Sequence, residues 1–150
     1  MIINILIIKI KYYYTFMGTT QSLNKISFQD MKKCIAKKYT IITVMEIGET
    51  CLIESTVPIN NEEAVIRKIY ENDASIPIII YGYNNCDDRV ITKYVQLKEL
   101  GFINVFVYLG GMFEWMLLQD IYGTSHFKTC GKDLNLLKYK PTNNKKIDIL

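Results

Sequence analysis

The stretch IPIIIYGYNNCDDRVITKYVQLKELGFINVFVYLGG, residues 76–111, decides the fold. Its opening, Ile76 to Tyr81, is a continuous apolar run interrupted only by a proline, the mark of a strand covered on both faces. The polar loop GYNNCDD follows. The segment RVITKYVQLKEL then reads as a long helix ending in a C-cap at Gly101, and NVFVYL, Asn104 to Leu109, supplies another strand. Gly110-Gly111 leads into a short helix, MFEWMLLQ. Strand, helix and strand in succession predict a parallel pair joined by a right-handed crossover.

Reading towards the N-terminus extends the alternation. EEAVIRKIYEN is a helix that Asn60 or Asn61 can cap, with Glu62 and Glu63 in the first turn where the helix dipole favours acids. Before it, Tyr39 to Met45 (YTIITVM) is a β-rich buried strand, followed by a turn around Gly48 and a short apolar piece, CLI. FQDMKKCIAKK is an amphipathic helix, with Ser27 as cap and Asp30 three residues later. The expected architecture is α/β, in three layers, with a mostly parallel central sheet of about five strands and helices on both faces. In such sheets ligands bind beyond the carboxyl ends of the strands, so the loop after Tyr81 is the place to look for a site.

Both ends read differently. From Tyr122 onward the chain turns polar and Lys/Asn-rich, with DLNLLKY the one weakly periodic piece, so residues 124–150 are read as a polar tail partly wrapping the domain. Residues 1–24 form an N-terminal extension. Its apolar run, Ile5 to Ile8, is far short of the ~20 residues that span a bilayer. No small-residue cleavage site accompanies it, and the part before Met17 is read as a spurious upstream extension. If translation starts at Met17, Met17-Gly18-Thr19-Thr20-Gln21-Ser22 matches the N-myristoylation pattern, with Gly18 as acceptor. A single acyl chain binds membranes only marginally, and Lys25, Lys32, Lys33, Lys37 and Lys38 are the basic residues available to assist it.

Composition removes several classes of function. With 49% hydrophobic and 22% charged residues over 150 positions, the chain can bury a core and is not disordered. The skew towards Ile, Asn, Lys and Tyr reflects an AT-rich coding bias. A net charge of +3, without a basic stripe, gives no case for nucleic-acid binding. The four cysteines, Cys34, Cys51, Cys86 and Cys130, form no CxxC pair, and His126 is the single histidine, so neither a metal site nor a cofactor is expected. Thiols in a reducing cytosol fit this pattern better than disulfides, and the expected location is cytoplasmic, at a membrane if Gly18 is acylated.

The run LKELGFINVFVYLGGMFEW, Leu97 to Trp115, resembles the carboxyl half of rhodanese-like domains: Leu-x-x-x-Gly closing a helix, Asn-Val on a strand, and Gly-Gly before a tryptophan helix. Upstream the match is looser. IPIIIYG occupies the family's central strand, Cys51 to Thr56 stands where the family has Gly-His-Ile-x-Gly-Ala, and Ile42 to Met45 replaces Ile-Asp-Val-Arg. The resemblance covers residues 25–123 and implies a rhodanese-like domain over that span. The whole pattern, including Ile121-Tyr122-Gly123, is similar to small rhodanese-like proteins of large AT-rich DNA viruses.

Sulfurtransferases of that family place a cysteine directly after the central strand, where loop amides and the next helix's N-terminus stabilise a thiolate and persulfide. By the resemblance, that position is Gly82. The active-site loop would be Gly82, Tyr83, Asn84, Asn85, Cys86, Asp87 and Asp88, with Asp87 or Asp88 capping the helix and placing negative charge at the mouth. Cys86 is the candidate catalytic residue, a displaced nucleophile carrying a persulfide; its bland reading is a loop thiol tucked against the sheet. Cys34 and Cys51 read as small core residues and Cys130 and His126 as surface residues. Trp115, Met112 and Met116 read as core, and Gly110-Gly111 as a tight turn.

Three readings stay open. The first is a non-catalytic binding or regulatory module with a protein partner. The second is an atypical sulfurtransferase using Cys86. The third is a fold-related thiol phosphatase, which would want Cys, five residues and Arg, whereas the chain offers only Cys86-x-x-Arg89.

Overall fold

In a computed structural model of the protein, residues 22–142 are described; Gly18 and the first sixteen residues lie outside them. Helix α1, Phe28–Ala36, begins with a full capping box: Asp30 N–H donates to Ser27 Oγ at 3.2 Å and Ser27 N–H donates to Asp30 Oδ2 at 3.2 Å. Strand β1, Thr40–Thr43, and the short β2, Leu52–Ile53, precede α2, Glu62–Asn72. Strand β3, Ile78–Tyr81, α3, Arg89–Glu99, and β4, Val105–Tyr108, follow. The chain continues through α4, Gly111–Tyr122, and β5, Thr129–Cys130, to a 3-10 turn over Leu136–Tyr139.

The central sheet is parallel, in the order β1-β3-β4, with Ile79 level with Ile41 on one side and with Phe106 on the other. Side chains alternate across it. Ile79, Tyr81 and Tyr108 join Met31 of α1 and Met112, Trp115 and Met116 of α4 on one face. On the other, Ile78, Ile80, Val105 and Val107 meet Ile69 of α2 and Val90, Tyr94 and Leu97 of α3. This is the three-layer α/β arrangement, and the continuous apolar run of β3 is explained by burial of all its residues on two covered faces.

The strand count is smaller than the sequence suggests. Three strands make the central sheet, and its two edges are extended only by single bridges, Lys25 to Val107 and Thr56 to Ile41. The chain turns through Ser55, whose φ is +68°, so that Thr56 meets β1 in a single bridge while Leu52–Ile53 does not run alongside it. Leu52–Ile53 instead pairs antiparallel with Thr129–Cys130 in a separate small sheet.

Helix ends divide in the same way. Gly101, at φ +101°, closes α3 in a Schellman motif: its N–H donates to Lys98 O and that of Phe102 to Leu97 O, both at 3.1 Å. By contrast, neither Asn60 nor Asn61 caps α2 through a side chain. A 3-10 turn over Ile59–Asn61 after Pro58 runs straight into that helix and takes over the role of a cap.

Residues 124–142 lie against the α1/α4 face. Phe127 is buried among Phe28, Trp115 and Tyr122, and Trp115 Nε1 donates to Lys128 O at 3.1 Å. Tyr139 is fully buried although its neighbours in sequence are exposed.

Candidate functional site

The parallel sheet brings three loops to its carboxyl edge: the one after Thr43, the one after Tyr81 and the Gly110-Gly111 turn after β4. The loop Gly82–Asp88 is the centre of this edge. It is pinned from one side by α4, whose Met112 and Phe113 N–H groups donate to Gly82 O and Tyr83 O, each at 2.9 Å. The first amides of that helix are therefore satisfied by the loop itself. Gly111 permits the approach: at φ +64°, a Cβ there would lie 2.6 Å from Gly82 O and 2.9 Å from Asn84 N. The Gly110-Gly111 pair thus serves close packing of helix on loop, in line with a tight turn.

Asp87 organises the interior of the loop. Its side chain turns back towards the start of the loop, where Oδ2 accepts from Tyr83 N–H at 3.1 Å. Arg89 grips the same carboxylate in a two-point pair, Nε to Oδ1 at 2.8 Å and Nη2 to Oδ2 at 2.9 Å. Burial of Asp87 works against its charge, but the Arg89 and Tyr83 hydrogen bonds prevail and hold its pKa below the ordinary carboxylate value. The Asp87 side chain is 7% exposed and that of Arg89 47%, so the ion pair sits at the boundary between interior and solvent. The carboxylate also fills the space beside Gly82: a Cβ on residue 82 would lie 2.5 Å from Asp87 Oδ2 and 2.9 Å from Val90 Cγ2.

The capping role expected of Asp87 or Asp88 is met weakly by Asp87 and not by Asp88. Asp88 occupies the N-cap position of α3, but its side chain makes no cap hydrogen bond. It has φ −60° and ψ −17°, already helical, whereas a capping side chain needs the extended backbone that Ser27 has at α1. Asp87 reaches the helix only through a long 3.4 Å contact from Arg89 N–H, its carboxylate being drawn inward to Tyr83.

Cys86 lies exposed at the outer turn of the loop. Its N–H donates to Asn84 Oδ1 at 2.9 Å and its thiol to Asn85 Oδ1 at 3.8 Å. The amides of Tyr83 and Arg89 are aimed at Asp87, not at the Cys86 sulfur. The loop thus brings Gly82, Tyr83 and Asp87 into one contact and leaves Asn85, Cys86 and Asp88 on the outside.

Four residues that sequence reasoning did not place at the site complete it. Arg89 was visible there only as the end of a short spacing from Cys86. Glu49 joins two segments: Oε1 accepts from Tyr83 Oη at 2.8 Å and Oε2 from Lys138 Nζ at 2.8 Å. Tyr139 stacks on Tyr83 with centroids 6.0 Å apart, and its main-chain oxygen accepts from Asn84 Nδ2 at 3.0 Å. Burial, then the Glu49 contact, raises the pKa of Tyr83. No local pattern flagged Glu49, Lys138 or Tyr139, although Tyr139 is the one aromatic residue of DLNLLKY.

Beside Arg89 a cleft of about 340 Å³ opens between the end of β1 and α3, lined by Thr43, Glu62 and Lys93 among others. Its cations are paired, Arg89 with Asp87 and Lys93 with Glu62 at 2.5 Å. Among the described residues, no group of three or more His, Cys, Asp or Glu could hold a metal ion, and no helix is long and apolar enough to cross a membrane.

No family model and no curated protein matches the chain. Solved structures do. The crystal structure of the Alr3790 protein from Anabaena sp. is 21% identical, with a TM-score of 0.52, over 75% of this chain and 86% of that one. The solution NMR structure of the rhodanese-like domain from the same protein is 18% identical, with a TM-score of 0.51, over 86% of this chain and 92% of that one. At this identity the likeness establishes the fold: α/β and rhodanese-like, with a parallel sheet between helical layers.

Proposed function

We propose that the chain is a non-catalytic binding module on a rhodanese-like fold, with Gly82 where sulfurtransferases of that fold carry their cysteine. The observation that carries this reading is the position of Asp87. Its carboxylate takes the space that a side chain on residue 82 would enter, and it accepts from the loop amide nearest that space. A persulfide or thiolate needs such donors to be stabilised. Here they serve a permanent carboxylate whose charge Arg89 balances.

The alternative, sulfur transfer through Cys86, has a less favourable setting. The thiol is exposed, and its one hydrogen-bond contact is to the Asn85 amide oxygen, which accepts and so cannot stabilise a thiolate. Thiosulfate:cyanide and mercaptopyruvate sulfurtransferase assays on the full chain, beside Cys86→Ser, test the proposal. Background rates in both are expected. Turnover that is lost in Cys86→Ser overturns it.

Myristoylation of Gly18 after initiation at Met17 would place the module at a membrane surface beside a protein partner. Mass spectrometry of the mature N-terminus tests this addition, and an unmodified Gly18 or a peptide beginning at Met1 ends it.

A further inference from the structure

The face that a binding module would use is already occupied by a piece of the chain. Residues 133–139 leave β5 and cross the mouth of the loop, and three groups there receive them. Tyr83 stacks on the Tyr139 ring, Asn84 Nδ2 donates to the Tyr139 main-chain oxygen, and Glu49 accepts from Lys138 Nζ. These contacts read one side-chain pair, a basic residue followed by an aromatic one, together with one backbone carbonyl. Glu49 also accepts from Tyr83 Oη, so the receiving groups are oriented by each other as well as by their occupant.

The occupant is built to be exchangeable. The 3-10 turn over Leu136–Tyr139 satisfies its backbone locally, Lys138 N–H donating to Asn135 O at 3.1 Å and Lys140 N–H to Leu137 O at 3.3 Å, with no strand ladder tying it down. Tyr139 Oη donates to Asp133 of the same segment at 2.9 Å and would keep that partner if the segment lifted. Its apolar hold on the domain is confined to Leu136, which is partly buried against the core, and to the Tyr139 ring; Leu134 is 89% exposed and Leu137 59%.

We propose that the face formed by Glu49, Tyr83 and Asn84 binds a protein segment carrying a basic residue followed by an aromatic one, and that Lys138–Tyr139 is the resident competitor in cis. The inference rests on the binding-module reading and names its partner class. Partner affinity is then governed by release of the strap, since a tethered competitor acts at an effective concentration of order millimolar.

The test is fluorescence polarisation with a labelled synthetic peptide, DLNLLKYKPT, on the full-length chain and on Lys138→Ala/Tyr139→Ala. The double variant, folded by circular dichroism, is expected to bind at least tenfold more tightly than wild type. Adding Tyr83→Ala should abolish the gain, and a peptide with Lys-Tyr replaced by Ala-Ala should not compete. Equal affinity for wild type and double variant, or no binding by the folded double variant, overturns the proposal. If losing Tyr139 unfolds the chain, excess isotope-labelled peptide on wild type decides instead: faster hydrogen exchange over residues 136–140 is expected, and unchanged exchange refutes it. Sulfur transfer by wild type alongside peptide binding would sink only the non-catalytic reading.

Discussion

The carboxylate of Asp87 lies where a side chain on residue 82 would begin: a Cβ built on Gly82 meets Asp87 Oδ2 at 2.5 Å. The two positions therefore form one packing unit, and neither can change without the other. Gly82→Ala should cost about 1–3 kcal/mol by overpacking. Chemical denaturation of Gly82→Ala, Asp87→Ala and the double variant should give a double loss smaller than the sum of the singles, because removing the Asp87 carboxylate relieves the clash that a Cβ on residue 82 creates.

The same pair sets an acid limit on stability. The pKa of Asp87 is depressed in the folded chain, so its contribution is present above the unfolded carboxylate value and is lost as pH falls through the folded one. Between those values the unfolded state binds more protons, and stability rises with pH. Asp87→Asn should be less stable than wild type near neutrality and should flatten the decline in stability as pH falls below the ordinary carboxylate range, read as midpoint shifts in urea.

Tyr81 sets the corresponding alkaline limit. Burial, opposed by its hydrogen bonds to Thr56 and Ile53, raises its pKa from 10.0 to about 12. A raised folded value means that the contribution is complete below pH 10.0 and is lost as pH climbs through about 12. Tyr81→Phe removes this loss. It also orphans the Ile53 N–H that donates to Tyr81 Oη at 3.1 Å and disturbs Thr56, at a cost of about 1–3 kcal/mol at neutral pH.

Thiol labelling separates the four cysteines by burial. Cys86 and Cys130 are exposed, Cys34 is half-buried and Cys51 fully buried. Burial raises the pKa of Cys34 and Cys51, which slows both further. Under a disulfide reagent, Cys86 and Cys130 should label first and at similar rates, and Cys51 only on unfolding. A Cys86 rate orders of magnitude above that of Cys130 would show an activated nucleophile.

The elements that sequence reading located well are those whose pattern is local. The apolar run at β3, the Ser27–Asp30 box and the Gly101 terminus each follow from a few adjacent residues, and each stands where expected. What it missed depends on distant segments. The turn of Asp87 away from the helix it precedes follows from the space left beside Gly82, which α4 helps to shape from some 30 residues downstream. Glu49 and Tyr139 reach the same loop from distant parts of the chain, and the reading of a polar tail partly wrapping the domain did not single out Tyr139 as the residue that packs there. The sheet lost its outer strands because Ser55 and the pairing of β2 with β5 divert a short apolar piece that could equally have extended β1.

The most direct measurement is the intact mass of the wild-type chain after incubation with thiosulfate under non-reducing conditions, followed by peptide mapping. An unmodified chain is expected, because the loop donors already hold the Asp87 carboxylate. A sulfur adduct on Cys86, absent from Cys86→Ser, would contradict that assignment and make the protein an enzyme with a displaced nucleophile.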